Sequence, residues 1–108
     1  MDRNADLMQM GDYTRISYSE DNGARVVLDI NGGDVSMKRH SEGLTHATFS
    51  MEGTSSLSVH SEHGILEFGV ITVALDFNGD TLYINYQLLQ GGETIDTHVF
   101  ELSWKLEE

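Results

Sequence analysis

From Tyr13 onward, apolar and polar residues alternate in short runs, and most runs end in a turn signal. Val26, Leu28 and Ile30 alternate with Arg25, Val27 and Asp29, and Val35 and Met37 with Ser36 and Lys38. A period of two sends alternate side chains to opposite faces, so these runs predict strands with one buried face. Between runs stand Asp21-Asn22-Gly23, Asn31-Gly32-Gly33, Asn78-Gly79-Asp80 and Gly91-Gly92. Asn-Gly and Gly-Gly supply the positive φ that tight hairpins need, and no proline interrupts the series. The pattern predicts eight strands: 13–19, 24–30, 34–40, 44–50, 55–60, 64–77, 81–89 and 94–106. Asn4 to Met10 reads as one or two helical turns capped by Asn4, or as an unstructured end stopped by Gly11. The expected layout is a short N-terminal segment, 1–11, and a single β domain, 12–108.

Two runs depart from simple alternation. Between Gly64 and Phe77 neither parity is polar: Ile71, Val73, Leu75 and Phe77 form one set, Leu66, Phe68, Val70 and Ala74 the other. A run apolar on both faces is usually covered on both, and Gly69 is the expected bulge or bend. In the last run Thr94, Asp96 and His98 are polar, while Phe100, Leu102, Trp104 and Leu106 at the same parity are apolar. That change predicts a bulge near His98–Val99, or a strand passing from an open rim into the core. Eight strands joined by short turns suffice to close a small barrel. The predicted fold class is therefore all-β, an antiparallel up-and-down barrel of about eight strands. The alternative, a two-sheet sandwich, tends to use longer Greek-key connections.

Composition narrows the function classes mostly by exclusion. The 108 residues suit one core. With no cysteine, disulfides, zinc-thiolate sites and cysteine nucleophiles are ruled out. Six Lys and Arg face eighteen Asp and Glu, a formal net charge of −12. Such a surface repels phosphate backbones and anionic membranes, so neither nucleic acid nor membrane is an expected partner. It leaves a solvated surface or docking to a basic partner. No apolar run approaches the roughly 20 residues of a membrane span, and Met1–Met10 lacks the apolar core of a secretory signal. The expected location is cytoplasmic.

Ordered pieces of the chain carry a family resemblance. They are Ile16-Ser17-Tyr18-Ser19-Glu20, Val35-Ser36-Met37-Lys38-Arg39, Thr45-His46-Ala47-Thr48-Phe49 and His63-Gly64-Ile65-Leu66-Glu67-Phe68-Gly69-Val70. Together with Asp80–Leu88 and Gly91–Leu102 they resemble the YwiB-type bacterial domains of unknown function. The resemblance implies a calycin-like, lipocalin-like barrel and no established activity. Those relatives usually carry further strands before the Ser17-Tyr18 segment, and this chain looks short of them.

Candidate chemistry is sparse. His60-Ser61-Glu62-His63 has metal-like character without diagnostic spacing, and the expectation is no metal and no cofactor. Arg39 shares parity with Val35 and Met37, so it points inward and needs a partner or an anion; Glu67 is the candidate partner. His46, His98 and Asp96 offer a base and an orienting acid, but nothing resembles a nucleophile elbow, and no catalysis is expected. Tyr83, Tyr86 and Trp104 are aromatic candidates for a cavity lining or a contact surface. The expected ligand site is Arg39, His46, Tyr86 and Trp104, at the barrel interior or mouth. The reading is a non-enzymatic barrel holding a small apolar or amphipathic molecule. The alternative is a structural or protein-interaction domain with a filled core. A homodimer is expected in either case, because one apolar face of 64–77 needs cover.

Overall fold

The structure, a computed structural model, describes residues 2–78 and 81–106, with side chains over 5–78 and 81–103. These residues form nine strands and no helix. In chain order they are β1 (Asp2–Met10), β2 (Tyr13–Ser19), β3 (Arg25–Asn31), β4 (Asp34–His40), β5 (Leu44–Ser50), β6 (Ser55–Ser61), β7 (Gly64–Phe77), β8 (Thr81–Gln90) and β9 (Glu93–Leu106). Each strand pairs antiparallel with the next, and the sheet curls into a closed barrel.

The strand number dictates how the barrel closes. Consecutive hairpins reverse direction each time, so the first and ninth strands run the same way. The closing ladder must then be parallel, and it is: Asp2 to Ala5 pair with Ser103 to Leu106. This seam is short beside the β8–β9 ladder, which runs from Thr81↔Ser103 to Gln90↔Glu93.

The N-terminal segment corrects the helical expectation for Asn4–Met10. It is β1, held on one side by β2 from Asp6↔Ser17 to Met10↔Tyr13 and on the other by β9. Strand propensity here is poor, but both flanking strands offer unpaired edges, and Ala5 is buried in the core. Tertiary pairing overrides local preference. Gln9 and Thr14 lock the hairpin: Thr14 Oγ1 donates to Gln9 Oε1 at 3.0 Å, and Gln9 Nε2 donates to the Gly11 carbonyl at 3.1 Å.

The eight predicted strands are β2 to β9, with ends matching or displaced by one residue. The Gly91-Gly92 link is a two-residue turn with φ of 62° and 83°. Positive φ at both positions is the type I′ geometry that matches strand twist, and only glycine adopts it without strain.

The interior is one apolar cluster to which all nine strands contribute, from Ala5 on β1 through Val70 on β7 to Leu102 on β9. Phe49, Ile16, Leu28, Leu82, Ile84, Val35 and Val70 are its largest fully buried side chains. Each such burial stabilises by about 1.5–3 kcal/mol. The barrel's middle is therefore filled.

A bulge explains the two-sided apolar run. It lies between Thr72 and Ala74, where the β7–β8 register shifts, and not at Gly69, which stays in the ladder between Ser56 and Leu89. Before the bulge, Phe68, Val70 and Thr72 face the core; after it, Leu75 and Phe77 do, opposite Ile84 and Leu82. One extra residue flips parity, so both parities of β7 supply core side chains in turn. Ile71 and Val73 remain outside, 38% and 48% exposed. In β9 the register shifts opposite Leu88/Leu89, leaving Ile95 between Thr94 and Asp96. The expected bulge at His98–Val99 is absent: Asp96, His98, Phe100 and Leu102 hold one parity against Leu88, Tyr86, Ile84 and Leu82. β9 runs from a rim into the core.

Candidate functional site

The hairpin turns alternate between two ends of the barrel, and the ends differ. Towards the end bearing the β2–β3, β4–β5, β6–β7 and β8–β9 turns, the inner face opens. Along β7 the inward side chains run from Val70, fully buried, through half-buried Phe68 to Leu66, 59% exposed. On the neighbouring strands Val59, Tyr86 and Leu88 are also only half-buried and pack on the core from above. This is a mouth with an apolar floor.

Tyr86 is its aromatic centre. Its ring lies 4.8 Å from Phe49, tilted, and 5.5 Å from His98, stacked. Burial pushes the Tyr86 phenol above its ordinary value, and the nearby Asp96 charge adds to the shift. Both effects disfavour a phenolate, so the hydroxyl stays a hydrogen-bond donor at neutral pH. His98 Nε2 sits 3.0 Å from Asp96 Oδ2 on the exposed rim. Across the β7–β8 ladder from Tyr86 is Thr72, buried, whose hydroxyl makes no hydrogen bond among the described residues.

Arg39 reaches the interior as its parity predicts, but its partner is Glu20, not Glu67. Arg39 Nε donates to Glu20 Oε1 at 2.6 Å, with both side chains about one-third exposed. Glu67 alternates with inward Leu66 and Phe68, so it faces outward and lies exposed. Glu20 sits in the β2–β3 turn, where its carbonyl accepts from Gly23 N–H and its own N–H donates to the Ala24 carbonyl. A tight turn thus aims a carboxylate at the rim.

His46 is on the other side of the wall. Thr45, Ala47 and Phe49 take the inward positions of β5, so His46 faces out, with Nε2 3.3 Å from Ser36 Oγ. The structure brings Tyr86 and His98 together, separates His46 from them, and places the Trp104 side chain outside the described residues. Ser36 and His46 do not complete a catalytic set. The carboxylate across the ladder from Ser36 is Asp29, and Arg15 holds it in a two-pronged pair at 2.7 and 3.1 Å. Ser36 and Asp29 border an open outer groove of about 360 Å³ lined also by Tyr13, Asp34 and Thr48. Glu62 and His63 are exposed in the β6–β7 turn. Among the described residues no group of three or more His, Asp or Glu is placed to hold a metal ion.

Sequence reasoning missed Glu20, Leu66 and Phe68 as parts of the mouth. One signal pointed there: polar Asp96 and His98 share parity with apolar Phe100 and Leu102, marking where β9 leaves the core. No helix among the described residues is long and apolar enough to cross a membrane.

Neither a curated protein nor a solved structure matches the chain. A family model does match, over residues 1–102, and so takes in β1 as well as the barrel strands the mouth is built on. The chain belongs to the family described as a domain of unknown function, DUF1934.

Proposed function

We propose that this protein is a non-catalytic binding module that takes a small amphipathic molecule at the open mouth of the barrel. The observation that supports it most is the inner ladder of β7, which climbs from buried Val70 to exposed Leu66 without turning polar. Apolar side chains facing the inside of a barrel yet open to solvent offer area to a ligand, at about 25 cal/mol per Å² covered. Polar groups ring that floor. Tyr86 has a neutral phenol, Arg39–Glu20 is an ion pair, and His98–Asp96 is a polar pair on the rim. A few polar groups around an apolar surface are the usual make-up of a ligand site. Because the middle of the barrel is filled, the ligand lies across the mouth and not deep inside, a shallower version of the lipocalin arrangement. A YwiB-type, calycin-like identity and a bacterial cytoplasmic setting belong to the same reading, on the sequence resemblance.

The test is a titration with fatty acids, bilins and aromatic anions, read by backbone amide shifts and Trp104 fluorescence. Binding is expected to move Leu66, Phe68, Tyr86 and Leu88 together, and Leu66→Asp to weaken it at least tenfold. A panel without a binder, or shifts confined to the outer groove at Ser36, would sink the proposal.

A further inference from the structure

The two edges of β9 are in different states. One pairs with β8 from Glu93 to Ser103; the other meets β1 only from Ser103 onward. Among the described residues, the β1-side edge of β9 from Glu93 to Leu102 therefore has no strand partner. Thr97 shows which backbone groups are free. Its N–H donates to the Asp96 side chain, Oδ1, at 2.9 Å, so it is turned away from β8. Alternation puts the N–H and C=O of Val99 on the same free side. Such a row is a template for another strand.

The residues along this edge are complementary to themselves. With two copies antiparallel and centred on Thr97, Ile95 meets Val99, Asp96 meets His98, and Thr97 meets Thr97. We propose that the chain forms a two-fold homodimer by pairing this edge of β9 with the same edge of a second copy. A two-fold interface requires such matching of a surface with itself, and the run Ile95-Asp96-Thr97-His98-Val99 supplies it: a carboxylate acceptor meets an imidazole donor, and apolar side chains meet each other.

The details of the ladder agree. Two Thr97 residues facing each other exchange both backbone hydrogen bonds. Asp96 and the partner's His98 then form a non-hydrogen-bonded pair, the arrangement with the closest side chains. Asp96 now serves two groups of its own chain, Thr97 N–H and His98 Nε2. On pairing, the N–H passes to the partner's carbonyl and the carboxylate turns to the partner's imidazole. On the outer face, Ile95 and Val99 are exposed and become cross-strand neighbours. Val99 lies opposite Asn85 on its β8 side, so the seam forms on the other side of β9 and continues the sheet beyond it. The one like-charge meeting is Glu93 with the partner's Glu101, at the ends of the seam. The net charge of −12 opposes association but is screened beyond about 8 Å at physiological salt. Pairing in this register needs no ligand in the mouth.

Sedimentation velocity between about 5 and 100 µM tests it. The expected mass is twice the chain's 12.0 kDa. Thr97→Pro removes the free N–H without touching the β8 ladder, and Val99→Lys places a charge at the seam; both are expected to give monomer. Amide exchange at Val99 should slow as wild-type concentration rises, a readout that stands if Thr97→Pro folds poorly. His98→Asp is expected to give monomer, and the exchanged pair Asp96→His with His98→Asp to restore the dimer. A monomer across the whole range, or a dimer that persists in both Val99→Lys and Thr97→Pro, overturns the proposal.

Discussion

The middle of the barrel and its mouth are made from the same strands, yet they obey different rules. Around Phe49, Val70 and Ile84 the inward side chains are buried and, Thr72 apart, apolar, and neighbours from all nine strands close the space. One or two pleats further along β7, β8 and β9, the inward positions hold Leu66, Tyr86, Asp96 and His98, and water reaches them. The change has a geometric cause. β7 and β9 are 14 residues long, whereas β2 to β6 are 7 each. The long strands outrun the short ones, so their ends have no facing wall. Packing stabilises the middle; the overhang is free to carry binding groups. Regions with few buried contacts are also where local opening is easiest.

The largest expected effect breaks the closed side of that contrast. Phe49→Ala empties a fully buried site and takes away the ring against Tyr86, so stability should fall by about 3–5 kcal/mol. Urea unfolding measures it, and a loss under about 1 kcal/mol would mean that the middle is not the tight region described. Arg39→Met comes next. It removes a partly exposed ion pair to Glu20 and leaves that carboxylate to be hydrated, for an expected cost of about 1 kcal/mol or less. A change as large as that of Phe49→Ala would place Arg39 in the core instead of the rim.

Tyr86 sharpens the boundary through pH. Its folded pKa is raised above the ordinary 10.0, so the unfolded chain loses the proton first. The stability this contributes is full below pH about 10 and is lost as pH rises through the folded value. Urea midpoints at rising alkaline pH should fall less in Tyr86→Phe than in wild type. Parallel curves for the two proteins would show that the ring is as wet as a free tyrosine. The smallest effect on stability belongs to the overhang itself. Leu66→Ser should change it by less than about 0.5 kcal/mol, as exposed positions do, while weakening ligand uptake. If it destabilises by more than about 2 kcal/mol, Leu66 is packed and the mouth is closed.

Much of this was readable in the chain. The alternation in Ala24–Ile30 and Asp34–His40, with Gly at the turns, determined strand number from β2 onward, hairpin order and which parity of most strands forms the core, because a pleat leaves no choice once one face is apolar. It also determined that Arg39 points inward and that β9 changes character along its length. Other features waited for the tertiary structure. Asp2–Met10 carries weak strand signals and became β1 because two neighbouring edges needed a partner, a demand that exists only once the sheet curls. The position of the bulge at Val73 was hidden, since an apolar run on both parities looks alike whether a bulge lies at Gly69 or beyond it. The partner of Arg39 was hidden too: Glu20 lies in a different hairpin, and only curvature brings that turn over β4. His46 sits at a parity that faces outward, which alternation on β5 already implied, yet its neighbour Ser36 came from register. Local pattern specifies which way a side chain points; closure of the sheet decides what it meets.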